Sequence, residues 1–172
     1  MLQLQKKAQQ LIKHIAIILA FLVMLSSPVA AQDYDKGLAA YINEDYATAF
    51  KEWKPLADQG LAIAQLNLGV MYTNGWGIIQ DYKEAVKWYK LAAEQGYAKA
   101  QSNLGLMYVL GQGVIQDYAM AHLWLNIGAT NGDELGGTNR DVIAEEMTSA
   151  AIEKAQAMAG KCMESNYEEC GY

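Results

Sequence analysis

Residues 68–82 read LGVMYTNGWGIIQDY, and thirty-six residues later the chain reads LGLMYVLGQGVIQDY over 104–118. Set against one another without a gap, 45–80 and 81–116 agree at 20 of 36 positions. Asp117 and Tyr118 open a third copy in the same phase, over about 117–152. There Ala121 falls on Ala49 and Ala85, and Gly132 falls on Gly60 and Gly96. A unit of this length is one supersecondary joint that cannot bury its own apolar face, so successive copies must stack. The period, with a helix pair in each copy, calls for a stacked solenoid.

Within each copy the pattern is helix, turn, helix. Asp81 is a good N-cap, and Glu84 stands three residues on, where a side chain can reach back to the cap. Ala85, Trp88, Tyr89, Ala92 and Ala93 follow at three- and four-residue spacing, which marks one apolar helix face. Gly96 ends that helix. The spacing predicts a second helix from Ala98 to about Leu110, presenting Ala100, Leu104, Met107 and Tyr108, before Gly111 and Gly113 turn the chain. Gly105 sits inside this helix, as Gly69 does in the copy before. An interior glycine costs about 1 kcal/mol against alanine, so both positions call for a neighbouring helix at close range.

The ends are irregular, as the terminal units of a solenoid are. Residues 34–43 with 45–59 give an opening helix pair. The third copy keeps Asn139 in phase with Asn67 and Asn103, but Asp141 replaces the packing glycine. A last helix from about Thr148 to Cys162 is expected to bury Ile152, Ala155, Ala159 and Cys162. The expectation is an all-α chain of about eight helices in four stacked antiparallel pairs, a right-handed α-solenoid.

LGVMY and LGLMY resemble the L-G-x-x-Y signature of tetratricopeptide repeats, and Ala49-x-x-x-Trp53 and Ala85-x-x-x-Tyr89 resemble its A-x-x-x-aromatic signature. The period of 36 and the turns carrying Gly75-x-Gly77 and Gly111-x-Gly113 are longer than in ordinary tetratricopeptide units. Together with A-x-A-Q-x-N-L-G-x-M-Y and D-Y-x-x-A-x-x-W-Y, they are similar to the Sel-one-like repeat subfamily. The resemblance covers essentially everything from Asp33 onwards. It implies a helical-repeat scaffold that binds protein or peptide. Some exported, cysteine-rich members are linked to β-lactam binding or hydrolysis, but their repeats each carry a cysteine pair and none does here.

The first thirty-one residues stand apart. Lys6, Lys7 and Lys13 precede an apolar run of eleven residues from Ile15 to Leu25, and small residues at Val29, Ala30 and Ala31 precede Gln32. This is the pattern of a secretory signal cleaved between Ala31 and Gln32, and the run is short of the roughly 20 residues a membrane span needs. Residues 32–172 then form a single repeat domain in the periplasm or outside the cell, with no membrane span. Cleavage would remove three of thirteen basic residues and none of nineteen acidic ones, taking the net charge from −6 to about −9. So acidic a chain has no footprint for nucleic acid; protein, peptide or cell-wall glycan partners remain. Cys162 and Cys170 are the only cysteines. In an exported protein a disulfide is expected, with free or metal-bound thiols as the alternative.

Chemistry is hard to assemble. His122 is the one histidine beyond the signal, and no second histidine or cysteine is near it in sequence. Ser102, Ser149 and Ser165 lie in no nucleophile motif. The Gly-x-Gly turns follow no strand and precede no Gly-Lys-Ser/Thr. No catalytic residue, cofactor or metal ligand is nominated. Binding candidates are of two kinds. Gln65, Gln101, Asn67 and Asn103 recur in both copies; they serve the architecture, or the asparagines form a ladder that grips a peptide backbone on the concave face. Trp76 breaks the repeat, with Gln112 in its place, and reads as an exposed contact or as local packing. The reading is a non-enzymatic interaction scaffold. The rival is a cell-wall- or glycan-directed binder or hydrolase, related to β-lactam or peptidoglycan chemistry, using the same groove.

Overall fold

A computed structural model describes residues 28–171, and among them the chain forms eight helices and no strand. They are α1 (Pro28–Ile42), α2 (Tyr46–Asp58), α3 (Ala62–Asn74), α4 (Tyr82–Ala93), α5 (Ala98–Leu110), α6 (Tyr118–Thr130), α7 (Glu134–Ala144) and α8 (Ser149–Glu164). The expected signal falls mostly on 1–27, outside the described residues; α1 runs through Ala31 and Gln32.

Each first helix of a repeat starts at an aspartate. The Asp81 carboxylate accepts from the backbone N–H of Lys83 (2.9 Å) and Glu84 (3.2 Å), and Asp117 does the same for Ala119 and Met120. Asp45 caps α2 through Thr48, whose side-chain and backbone hydrogen bonds hold its carboxyl below the usual carboxylate range. The reciprocal half of the capping box does not form. The Asp81 N–H donates to the Tyr72 carbonyl (3.0 Å), and Glu84 pairs instead with Lys87 (3.2 Å). With the cap N–H already taken by the preceding helix, Glu84 is free to turn outward.

The long turn has a physical reason. Gly75 and Gly111 end α3 and α5 in the left-handed conformation, at φ 70° and 64°. Gly77 and Gly113, two residues on, are left-handed too, at φ 71° and 72°. A Cβ at Gly77 would lie 2.5 Å from the Tyr46 carbonyl carbon, and one at Gly113 would strike the Tyr82 carbonyl. The turn thus presses its backbone onto the start of the first helix of the same repeat.

Consecutive helices pack in chain order from α1 to α7. The interior glycines are the points of closest approach: a Cβ on Gly69 would enter the Tyr89 ring, and one on Gly105 would meet Leu125 Cγ at 2.7 Å and the Ala121 carbonyl at 3.1 Å. In the third copy this duty passes to Gly128 and Gly136, both against Ser102. Trp53 and Trp124 are buried, and two apolar clusters run the length of the stack. The last helix departs from expectation. It packs chiefly on α6 rather than forming a pair with α7, because Ala159 and Cys162 fit against the apolar surface of α4 and α6; Ala155 is buried too. Ile152, expected in the core, is only half-buried.

Replacing Gly113 with alanine forces both a left-handed L-residue, about 1–2 kcal/mol, and a collision with Tyr82. Urea unfolding should show Gly113→Ala less stable by more than that conformational cost alone. Gly132→Ala, with open space at its Cβ position, should lose only the conformational part.

Candidate functional site

The candidate residues that recur between copies are not loose surface groups. Gln65 is buried at the start of α3, where its Nε2 donates to the Ala57 carbonyl (3.1 Å) and its Oε1 accepts from Gln95 Nε2 (2.7 Å). Gln101 repeats this one unit on, donating to the Ala93 carbonyl (3.0 Å) and accepting from Asn131 Nδ2 (2.8 Å). Each glutamine caps the end of its own repeat's first helix and ties it to the next. Their burial is that expected of architecture.

The asparagines are also engaged. Asn67 Nδ2 donates to the Tyr34 hydroxyl (3.2 Å). Asn103 hydrogen-bonds to Tyr89, whose hydroxyl also lies 3.1 Å from Thr73 Oγ1. Burial pushes the Tyr89 pKa up to about 12, against the opposing pull of those hydrogen bonds. Asn67 and Asn103 are therefore half-buried ties between second helices and tyrosines, not an open ladder. Trp76 is half-buried rather than exposed. It stacks on Tyr46 (centroids 5.1 Å, planes 13° apart) and meets Tyr41 edge-on (5.8 Å). Copy two has no tyrosine at the position of Tyr41 relative to its own turn, which is why Gln112 suffices there.

What the fold does leave open is a cleft of about 710 Å³ on the face formed by α2 and α4. Ala57, Gly60, Gln65, Trp88, Leu91 and Gln95 form its floor, and charged side chains form its rim. Trp88 is 4% exposed and its indole N–H has no hydrogen-bond acceptor among the described residues. The Lys54 and Lys87 ammonium groups lie 5.3 and 5.6 Å from its ring centroid. These lysines are otherwise held by surface ion pairs to Asp58 and Glu84, the weak kind that exchanges readily with water. The sequence flagged Trp88 only as core; its register with Trp124 hid its place on the cleft floor.

His122, on α6, is 2% exposed. Burial lowers its pKa, the Arg140 charge lowers it further, and Asp141 opposes them. Among the described residues no three His, Cys, Asp or Glu side chains are placed to hold a metal. Cys162 and Cys170 form a disulfide, Cα atoms 4.5 Å apart.

The family model for the Sel1 repeat matches residues 62–97 and 98–133. The chain carries Sel1 repeats. The matched frame pairs each second helix with the following first helix, so it is the same 36-residue period cut half a unit later. Two solved structures with this repeat are similar. One is c5321, a protective antigen of uropathogenic Escherichia coli displaying an SLR fold: it is 28% identical with TM-score 0.76, over 86% of this chain and 32% of the antigen. The other is a Sel1 repeat protein from Oxalobacter formigenes, 37% identical with TM-score 0.52, over 53% of this chain and 26% of that one. This chain thus spans about a third or less of either relative. No curated protein matches it.

The buried histidine of the second matched Sel1 repeat gives a pH dependence. Its folded-state pKa lies below 6.5, so on acidification the unfolded chain takes up the proton first. The stability is intact above about pH 6.5 and is lost as pH falls toward the folded-state value. The thermal midpoint should drop between pH 7.5 and 5.5, and His122→Leu should flatten that part of the profile.

Proposed function

We propose that the protein is an exported, non-enzymatic scaffold that binds another protein through the face carried by α2, α4 and α6. The observation that carries this reading is that the face already holds polypeptide. Its C-terminal half is covered by the chain's own α8 and tail, with Met158, Met163 and Tyr167 packed on the cluster of Ala93, Met120 and Trp124. Its N-terminal half, the cleft over Trp88, is open among the described residues. Sel1 repeats are a helical scaffold of this kind, and among the described residues no convergent nucleophile, base and orienting group stands on the face.

Export rests on the basic and apolar pattern of residues 1–31, with cleavage between Ala31 and Gln32, and on the disulfide, a bond that persists in oxidising compartments. No helix among the described residues is long and apolar enough to cross a membrane. Periplasmic or secreted placement follows from that pattern. Trp76, with part of its ring still at the surface, and the half-buried Asn67 and Asn103 are secondary contacts in this proposal. The glycan- or cell-wall-directed reading has Trp76 as its aromatic platform, and most of that ring is spent on Tyr46 and Tyr41.

Photo-crosslinking in the cell tests the proposal. A photo-reactive residue at Leu91, on the cleft, should capture a discrete protein, while the same residue at the 90% exposed Ile115 should not. Equal capture at both positions, or none at either, would remove the α2–α4 face as the binding surface. A third probe at Trp76 reports whether that edge shares the interface.

A further inference from the structure

The open cleft and the groove beneath the tail are the same place in successive repeats. Adding one period to the cleft residues takes Gly60 to Gly96, Gln65 to Gln101, Trp88 to Trp124, Leu91 to Ile127 and Gln95 to Asn131. The backbone repeats as well, with Gly60 and Gly96 both left-handed, at φ 95° and 80°. What differs is the occupant. In the downstream groove Tyr167 lies over Gly96, its hydroxyl 3.4 Å from where a Cβ would stand. That hydroxyl accepts from Asn131 Nδ2 (2.9 Å). Upstream, among the described residues, Leu91 is 38% exposed where Ile127 is fully buried, and Gly60 lines the cleft.

The amide chemistry shows what the upstream site lacks. Asn131 uses its two N–H groups on two different acceptors, Gln101 Oε1 and the Tyr167 hydroxyl. Gln95 gives one to Gln65 Oε1 (2.7 Å), and its other contact is the Leu91 carbonyl at 3.2 Å, a helix oxygen four residues back on its own strand of hydrogen bonds. Such a long, self-directed bond exchanges at little cost for a better-placed oxygen. The Gln95 amide and the Gly60 floor face one space.

We propose that the cleft between α2 and α4 docks a tyrosine presented on a helical segment of a partner protein, in the way the groove between α4 and α6 docks Tyr167 on the chain's own C-terminal segment. The ring lies over Gly60 and against Leu91, and the phenol oxygen accepts from Gln95. The stems of Lys54 and Lys87 swing aside as their surface ion pairs open. This deepens the protein-binding reading and rests on it. The repeat-breaking residues agree with the difference in tenure. Where the occupant is permanent the chain has Met120 and Leu123; where it comes and goes the same positions are Glu84 and Lys87, which keep the empty cleft wetted.

The test uses the full chain, 15N-labelled, and as probe a synthetic peptide of residues 149–171 closed by its own disulfide. Titration should shift the Trp88 indole and Gln95 side-chain amide signals to saturation. A Tyr167→Phe peptide should bind roughly three- to tenfold more weakly, the loss of one hydrogen bond. Gln95→Leu protein, checked for an unchanged fold by its amide spectrum, should lose the preference for tyrosine over phenylalanine. Equal binding of the two peptides would overturn the proposal, as would shifts confined to Trp124 and Asn131 or no shift at all. Capture of a protein at position 91 alongside a failed titration would leave the scaffold reading standing and remove the tyrosine.

Discussion

A buried side-chain amide between repeats is the interaction on which the rest of this structure depends. Gln65 and Gln101 each donate to a carbonyl at the end of a first helix, Ala57 or Ala93, which also accepts from the N–H of the turn glycine, Gly60 or Gly96. Each then accepts from the amide one repeat further on. Stacked helices without such a tie could slide along their apolar faces, because hydrophobic contact is non-directional. A hydrogen bond at 2.7–2.8 Å onto a buried glutamine oxygen favours one register. The glycines at 69 and 105 then let the ridges of the next helix approach closely, and the left-handed glycines of the turn return the chain in phase.

The same amide row lines the grooves between successive first helices. Asn131 locks one repeat to the next with one N–H and gives the other to the Tyr167 hydroxyl, while Gln95 gives its other to the Leu91 carbonyl. The C-terminal segment exploits the row at one end. The disulfide from Cys162 to Cys170 holds the tail that carries Tyr167 within reach of Asn131. An unmodified repeat one unit upstream has the same donors and no tail.

Much of the fold is legible in the sequence because the period, the aspartate caps and the glycine stops are local signals that repeat. The second helix from Ala98 to Leu110 has the boundaries its pattern predicts. The placement of α8 was not legible in the same way. Its amphipathic face specifies burial without naming the surface, and only the shape of the α4–α6 groove decides it. A signal did exist: Met120 and Leu123 turn apolar where the preceding copy has Glu84 and Lys87, which marks a covered stretch. Trp76 breaks the repeat for a different reason, the tyrosines at 41 and 46 that surround its turn. Trp88 reads as core from its spacing, since periodicity reports that a face is buried and not that its polar atom lacks an acceptor.

A double-mutant cycle on Gln65 and Gln95 tests the inter-repeat amide most directly. Urea unfolding of Gln65→Leu, Gln95→Leu and the double variant gives the coupling between them. The account predicts a coupling of about 0.5–1.5 kcal/mol, since Gln95→Leu leaves the buried Gln65 oxygen without its donor. Changes that add to within about 0.3 kcal/mol would show that helix packing alone sets the register, and the amide row would no longer be its cause.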